Sequence, residues 1–118
     1  MKVFKTTYES KMANENSDVN LTVEYGHRQL GASLIFWEED PSKELGKGQI
    51  KNLKLDFDKI KKHKTLIIKS EMADANERSN LMNNIITFTS DSQKEIFKPE
   101  GRVDQDKDKA EFITWIDF

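Results

Sequence analysis

The segment that most constrains the fold of this chain comprises residues 19–37. In its first part, the apolar residues Val19, Leu21 and Val23 alternate strictly with polar ones. This period of two predicts a β-strand with one buried face. A short polar link with a glycine at each end follows, and residues 32–37 predict a second strand. The segment therefore indicates a β-hairpin.

The second predicted strand is apolar on both faces. Leu34 and Phe36 point to one side, and the prediction assigns them to the core. The final run of the chain, residues 111–118, is also apolar on both faces, with Phe112 and Ile116 assigned to the core. An Ile-x-Trp triplet in each strand would then project from the opposite face. The predicted binding patch therefore consists of four residues: Ile35, Trp37, Ile113 and Trp115.

Short apolar runs recur along the whole chain of 118 residues, separated by turn-rich clusters and without sustained helical periodicity. The pattern predicts a single all-β domain over residues 1–118, an antiparallel β-sandwich of roughly seven or eight strands with immunoglobulin-like architecture. A small closed β-barrel is the alternative. Residues 58–64 predict a plain connection with one helical turn, for which Asp58 is the candidate cap.

The composition excludes several classes of function. The chain has no cysteine, which rules out disulfides, thiolate metal sites and cysteine nucleophiles. Its net charge of −2 does not indicate nucleic acid or an anionic membrane as a partner. No apolar run approaches the roughly 20 residues that span a bilayer. The first residues lack the apolar stretch of a signal peptide, so a cytoplasmic location is favoured, with a mature secreted or periplasmic domain without its leader as the alternative.

An acidic run near the end of the chain is a candidate metal site. Asp104, Asp106 and Asp108 occupy alternate positions, and carboxylates in a loop can gather around Ca²⁺. The EF-hand pattern fails here, because Lys109 stands where that pattern requires glycine. Lys107 also lies within the run and opposes a cation. The sequence therefore favours a solvated loop, and we predict neither a metal nor a cofactor.

Residues 43–69 are strongly basic, with nine lysines against three acidic residues. Such a face could meet an acidic partner or anionic lipid. It contains no arginine, the side chain whose planar fork favours bidentate phosphate binding, so we predict no nucleic-acid partner. Together with the acidic run and the chain length, this segment resembles parts of C2-type membrane-binding domains. That resemblance implies a membrane-surface module.

No catalytic motif accompanies the two histidines, His27 and His63, which both fall in polar links. The sequence therefore predicts a non-catalytic module that binds a protein, or another copy of itself, through an exposed apolar face. The alternative is a β-sandwich that binds a small ligand or a carbohydrate, with Trp37 and Trp115 as stacking platforms. A C2-like membrane-surface module or a small enzyme comes third.

Overall fold

The computed structural model describes residues 1–12, 17–26, 29–74, 80–105 and 107–118. Within these ranges the chain forms ten β-strands and one short α-helix. In chain order the elements are β1 (Lys2–Glu9), β2 (Val19–Tyr25), β3 (Leu30–Trp37), β4 (Glu44–Gly48), β5 (Ile50–Leu55), α1 (Phe57–His63), β6 (Thr65–Ala73), β7 (Leu81–Thr89), β8 (Lys94–Phe97), β9 (Glu100–Arg102) and β10 (Lys109–Asp117).

The strands form two sheets. The first sheet has the strand order β1-β10-β6-β3-β4, and the second has the order β5-β2-β7-β8, with β9 also paired to β7. All pairs are antiparallel except that of β1 and β10, which run parallel. This arrangement confirms the all-β prediction and is consistent with a sandwich. Among the described residues each sheet has two free edges, unlike the alternative of a closed barrel.

Two strands lie where the sequence predicts loops. Residues 38–48 contain a proline and two glycines, which predicts a break, yet β4 forms there and Leu45 packs against the core. Gly46 fits because a Cβ atom at this position would lie only 3.0 Å from the Ile50 side chain. Gly48 has a φ of +91°, and this left-handed conformation allows the tight link from β4 to β5. The short strand β9 likewise follows Pro99 within a hydrophilic segment.

Helix α1 is longer than the single turn that the sequence predicts, and it contributes the buried Ile60 to the core. Asp58 is not its cap. Asp56 occupies the N-cap position without a side-chain hydrogen bond, and the Phe57 N–H instead donates to Asp18 Oδ1 at 2.8 Å. This hydrogen bond, reinforced by Lys54, lowers the pKa of Asp18. A residue distant in sequence therefore stabilises the start of the helix.

Side chains on the inner faces of the two sheets form two apolar clusters. A chain of hydrogen bonds lies between the sheets. The Tyr25 hydroxyl is 2.6 Å from Ser33 Oγ, which is 2.7 Å from Ser70 Oγ, and Ser70 Oγ donates to Asn84 Oδ1 at 2.9 Å. Tyr25 and Asn84 belong to the second sheet and the two serines to the first. The chain of hydrogen bonds therefore connects the sheets and satisfies polar groups that burial would otherwise penalise.

The environment of both tyrosines predicts an alkaline limit to stability. Burial raises the pKa of Tyr25 above 10.0, opposed by the hydrogen bond to Ser33, and burial with the nearby Glu100 raises the pKa of Tyr8. The folded state holds these phenol protons more tightly than the unfolded state does. The stability that the two protonated tyrosines contribute is therefore complete below the pKa of tyrosine in the unfolded chain. It is lost as the pH rises through the pKa of tyrosine in the folded chain.

We therefore expect the tyrosinate absorbance of the folded protein to appear at higher pH than that of the protein in urea. The chain has two tyrosines, so Tyr8 is the only tyrosine that titrates in the Tyr25→Phe variant. The titration curve of the unsubstituted chain minus that of the variant therefore reports the buried hydroxyl of Tyr25. Superimposable curves for folded and urea-unfolded protein would contradict this environment.

Candidate functional site

The two Ile-x-Trp triplets lie in the same sheet but on opposite faces. Ile35 and Trp37 of β3 are 0% and 4% exposed and belong to the larger core cluster. Ile113 and Trp115 of β10 are half-buried, and they alternate with the buried Phe112, Thr114 and Ile116. The expected patch of four side chains therefore does not form, and the face assignment of β3 is wrong.

The error in β3 has a physical reason. Both faces of this strand are apolar, so its alternation does not distinguish the core side from the outer side. Pairing with β6 distinguishes them, because Ile35 lies opposite Ile68 of the core while Phe36 lies opposite Ile67. Phe36 and Ile67 are buried, yet neither belongs to a core cluster. They lie on the outer face of the first sheet.

This outer face carries apolar side chains on three adjacent strands. In one row across the sheet, Trp115 lies opposite Ile67, and Ile67 lies opposite Phe36. Neighbouring strands are about 5 Å apart, so side chains in a row are in reach of one another. In the next row, Lys69 lies between Ile113 and Leu34. We call the five apolar residues the outer patch: Leu34, Phe36, Ile67, Ile113 and Trp115.

Charges beside the outer patch are arranged in rows of one sign. Glu71 of β6 lies directly opposite Glu111 of β10, and such like-charged pairs destabilise a sheet. The adjacent row contains Lys69 and Lys47, which flank Leu34. Among the described residues, none of these four charged side chains forms an ion pair. A shallow groove of about 390 Å³ lies along the two rows.

The acidic run predicted as a candidate metal site does not present a free set of carboxylates. Asp104 pairs with Lys2 at 3.1 Å, and Asp108 Oδ2 accepts a hydrogen bond from the Gln105 N–H at 3.0 Å. Asp106 lies outside the described residues. Within the described ranges, no group of three or more histidine, cysteine or acidic side chains is arranged to hold a metal.

Of the remaining candidates, His63 and part of the basic segment lie apart from the outer patch. The His63 ring stacks on Trp37, with the ring centroids 5.3 Å apart, and His27 lies outside the described residues. The basic segment is divided, because Lys47 and Lys69 lie on the outer face while other lysines surround the end of α1. No helix in the described part of the chain is long and apolar enough to cross a membrane.

Searches against family models, curated proteins and solved structures found no match to this chain. Its function is therefore inferred from the side chains and their arrangement.

Proposed function

We propose that the chain is a non-catalytic interaction module and that the outer face of its first sheet binds a second copy of the chain. The observation that carries the proposal is the contiguous outer patch, which lies on the side of the sheet opposite the core clusters. Leu34, Ile113 and Trp115 are partly exposed beside the more buried Phe36 and Ile67, and apolar surface gathered in one patch marks interaction surfaces on folded proteins. The proposed surface retains Ile113 and Trp115 and replaces Ile35 and Trp37 with Leu34, Phe36 and Ile67.

The charge arrangement favours a second copy as the partner. In an isologous dimer the same surface is used twice, so it must be complementary to itself. Strand β6 is the central strand of the first sheet, and Ser70 lies between Lys69 and Glu71 on it. The proposed axis lies in the plane between the two copies, runs perpendicular to the strands and crosses β6 at Ser70. A two-fold rotation about it brings the basic row of each copy over the acidic row of the other. Lys69 then faces Glu71 of the second copy, and this contact occurs twice.

The same axis also gives exposed Leu30 a partner. Leu30 is 67% exposed and lies in the outer row with Ala73 and Lys109. The two-fold axis brings this row over the row of Phe36, Ile67 and Trp115 in the second copy, so that Leu30 meets Phe36. Stacked sheets lie about 10 Å apart with interdigitated side chains, which is the contact that this arrangement requires.

The immunoglobulin-like class is also a proposal. Its support is that consecutive strands pass between the two sheets, from β2 to β3 and from β4 to β5, as Greek-key sandwiches require. We do not extend the proposal to a carbohydrate platform, because Trp37 and Trp115 lie on opposite faces of the first sheet and cannot form one stacking surface.

Matched isoleucine substitutions test the proposed interface. Ile113→Ser should weaken self-association about tenfold to a hundredfold, because it removes apolar burial from both copies at once. Ile96→Ser is the control, since Ile96 is an exposed isoleucine on β8 of the other sheet. Sedimentation velocity over a range of protein concentrations measures both effects, and circular dichroism shows that each variant is folded. Equal association by the two variants would contradict the proposal.

A further inference from the structure

A cleft of about 360 Å³ lies at the end of the two sheets beside helix α1, away from the outer patch. Its apolar lining consists of Trp37 and Leu55, which are the last residues of β3 and β5, and Leu45 of β4. The first two are buried members of the larger core cluster, and Leu45 packs against it. The cleft therefore has a fixed apolar floor of a size that suits a small organic molecule.

Four lysines surround this floor. Lys43 precedes β4, Lys54 lies in β5, and Lys59 and Lys62 lie in α1. Lys54 is already neutralised, because its Nζ lies 3.3 Å from Asp18 Oδ2 and 3.7 Å from Asp56 Oδ1. Among the described residues the other three lysines form no ion pair. Asp40 and Asp56 also line the cleft, so four lysines against two aspartates leave its lining with a formal charge of +2, which favours an anion.

His63 of α1 also lines the cleft. Its ring stacks on Trp37 at an interplanar angle of 18°, and its Nδ1 lies 3.3 Å from Glu39 Oε2. The carboxylate therefore fixes the orientation of the imidazole ring. Both rings line the cleft, where a planar apolar body can pack against their accessible parts, and the lysines belong to the same lining.

We propose that this cleft binds a small organic anion with a planar apolar body. The body packs against Trp37 and His63, and a phosphate or carboxylate lies among Lys43, Lys59 and Lys62. Lysine ammonium groups bind either anion as point charges, without the bidentate geometry that arginine would impose. This site is separate from the proposed dimer interface.

Phenyl phosphate is a suitable probe, and calorimetry should show saturable binding with one molecule per chain. Lys59→Gln/Lys62→Gln should weaken this binding about tenfold, because two ammonium groups leave the rim. Lys51→Gln/Lys98→Gln is the control, since it removes the same charge from exposed positions outside the cleft and should leave binding unchanged. Benzoate tests whether a carboxylate can replace the phosphate. Benzyl alcohol lacks the anionic group and inorganic phosphate lacks the ring, so each should bind about tenfold more weakly than phenyl phosphate.

The two tryptophans provide a second readout, because their indole N–H groups give two separate NMR signals. Phenyl phosphate should shift the Trp37 signal and leave that of Trp115 in place. An equal loss of affinity in the two lysine double variants would overturn the proposal and indicate nonspecific attraction by surface charge. Binding of benzyl alcohol as tight as that of phenyl phosphate would also overturn it, and so would a shift confined to Trp115.

Discussion

Replacement of Trp37 by alanine should lower the free energy of unfolding by about 3–5 kcal/mol. This is a large part of the stability of a small domain. Trp37 is buried in the larger core cluster, stacks on His63 and meets the Phe118 ring edge-on, with ring centroids 6.3 Å apart. Loss of the indole removes these contacts and leaves a cavity at the end of the sandwich.

Trp115→Ala is the matched comparison, because it removes the same side chain from the outer face of the same sheet. Trp115 is half-buried and belongs to neither core cluster, so we expect a loss of about 1 kcal/mol. Urea denaturation followed by circular dichroism measures both values. The protein must be dilute enough to be monomeric, since dimerisation would itself stabilise the fold. Equal losses in the two variants would contradict the opposite placement of the two tryptophans.

Strands with one apolar face were predictable from the sequence. In β2 the alternation leaves only one face that can be assigned to the core, and Val19, Leu21 and Val23 on that face are all buried. In β10, which is apolar on both faces, the alternation left two possible faces, and the structure confirms the assignment of Phe112 and Ile116 to the core. Local pattern was sufficient in β2 because a shift by one residue would expose its whole apolar set.

The orientation of β3 was not predictable from its own residues. Both of its faces are apolar, and only its pairing with β6 determines that Ile35 faces inward. The outer patch has the same origin, because the strand order β10-β6-β3 brings together three runs that are distant in sequence. One local signal existed. Ile67 is a large apolar residue on the side of β6 that also carries Lys69 and Glu71.

The buried hydrogen bonds between the sheets left no recognisable pattern in the sequence. Asn84 shares the buried face of β7 with Met82, Ile86 and Phe88, although asparagine is a residue type that is mostly exposed. Its burial is explained by Ser70, which lies in the other sheet and supplies the hydrogen bond. Contacts of this kind depend on how the sheets pack, which local periodicity does not encode.

The self-association of charge-reversed chains tests the proposed dimer most directly. Lys69→Glu places two acidic side chains beside the two-fold axis, and Glu71→Lys places two basic ones there. In each single variant, like charges face each other twice, so each should self-associate about tenfold or more weakly than the unsubstituted chain. The double variant Lys69→Glu/Glu71→Lys restores opposite charges across the axis and should regain association.

The decisive sample is an equimolar mixture of the two single variants, studied by sedimentation equilibrium. Opposite charges meet at both contacts in the mixed dimer, so the mixture should associate more tightly than either variant alone. If the mixture associates no more tightly than its components, or if the unsubstituted chain keeps its monomer mass of 13.7 kDa at every concentration, the outer face does not bind a second copy in this way.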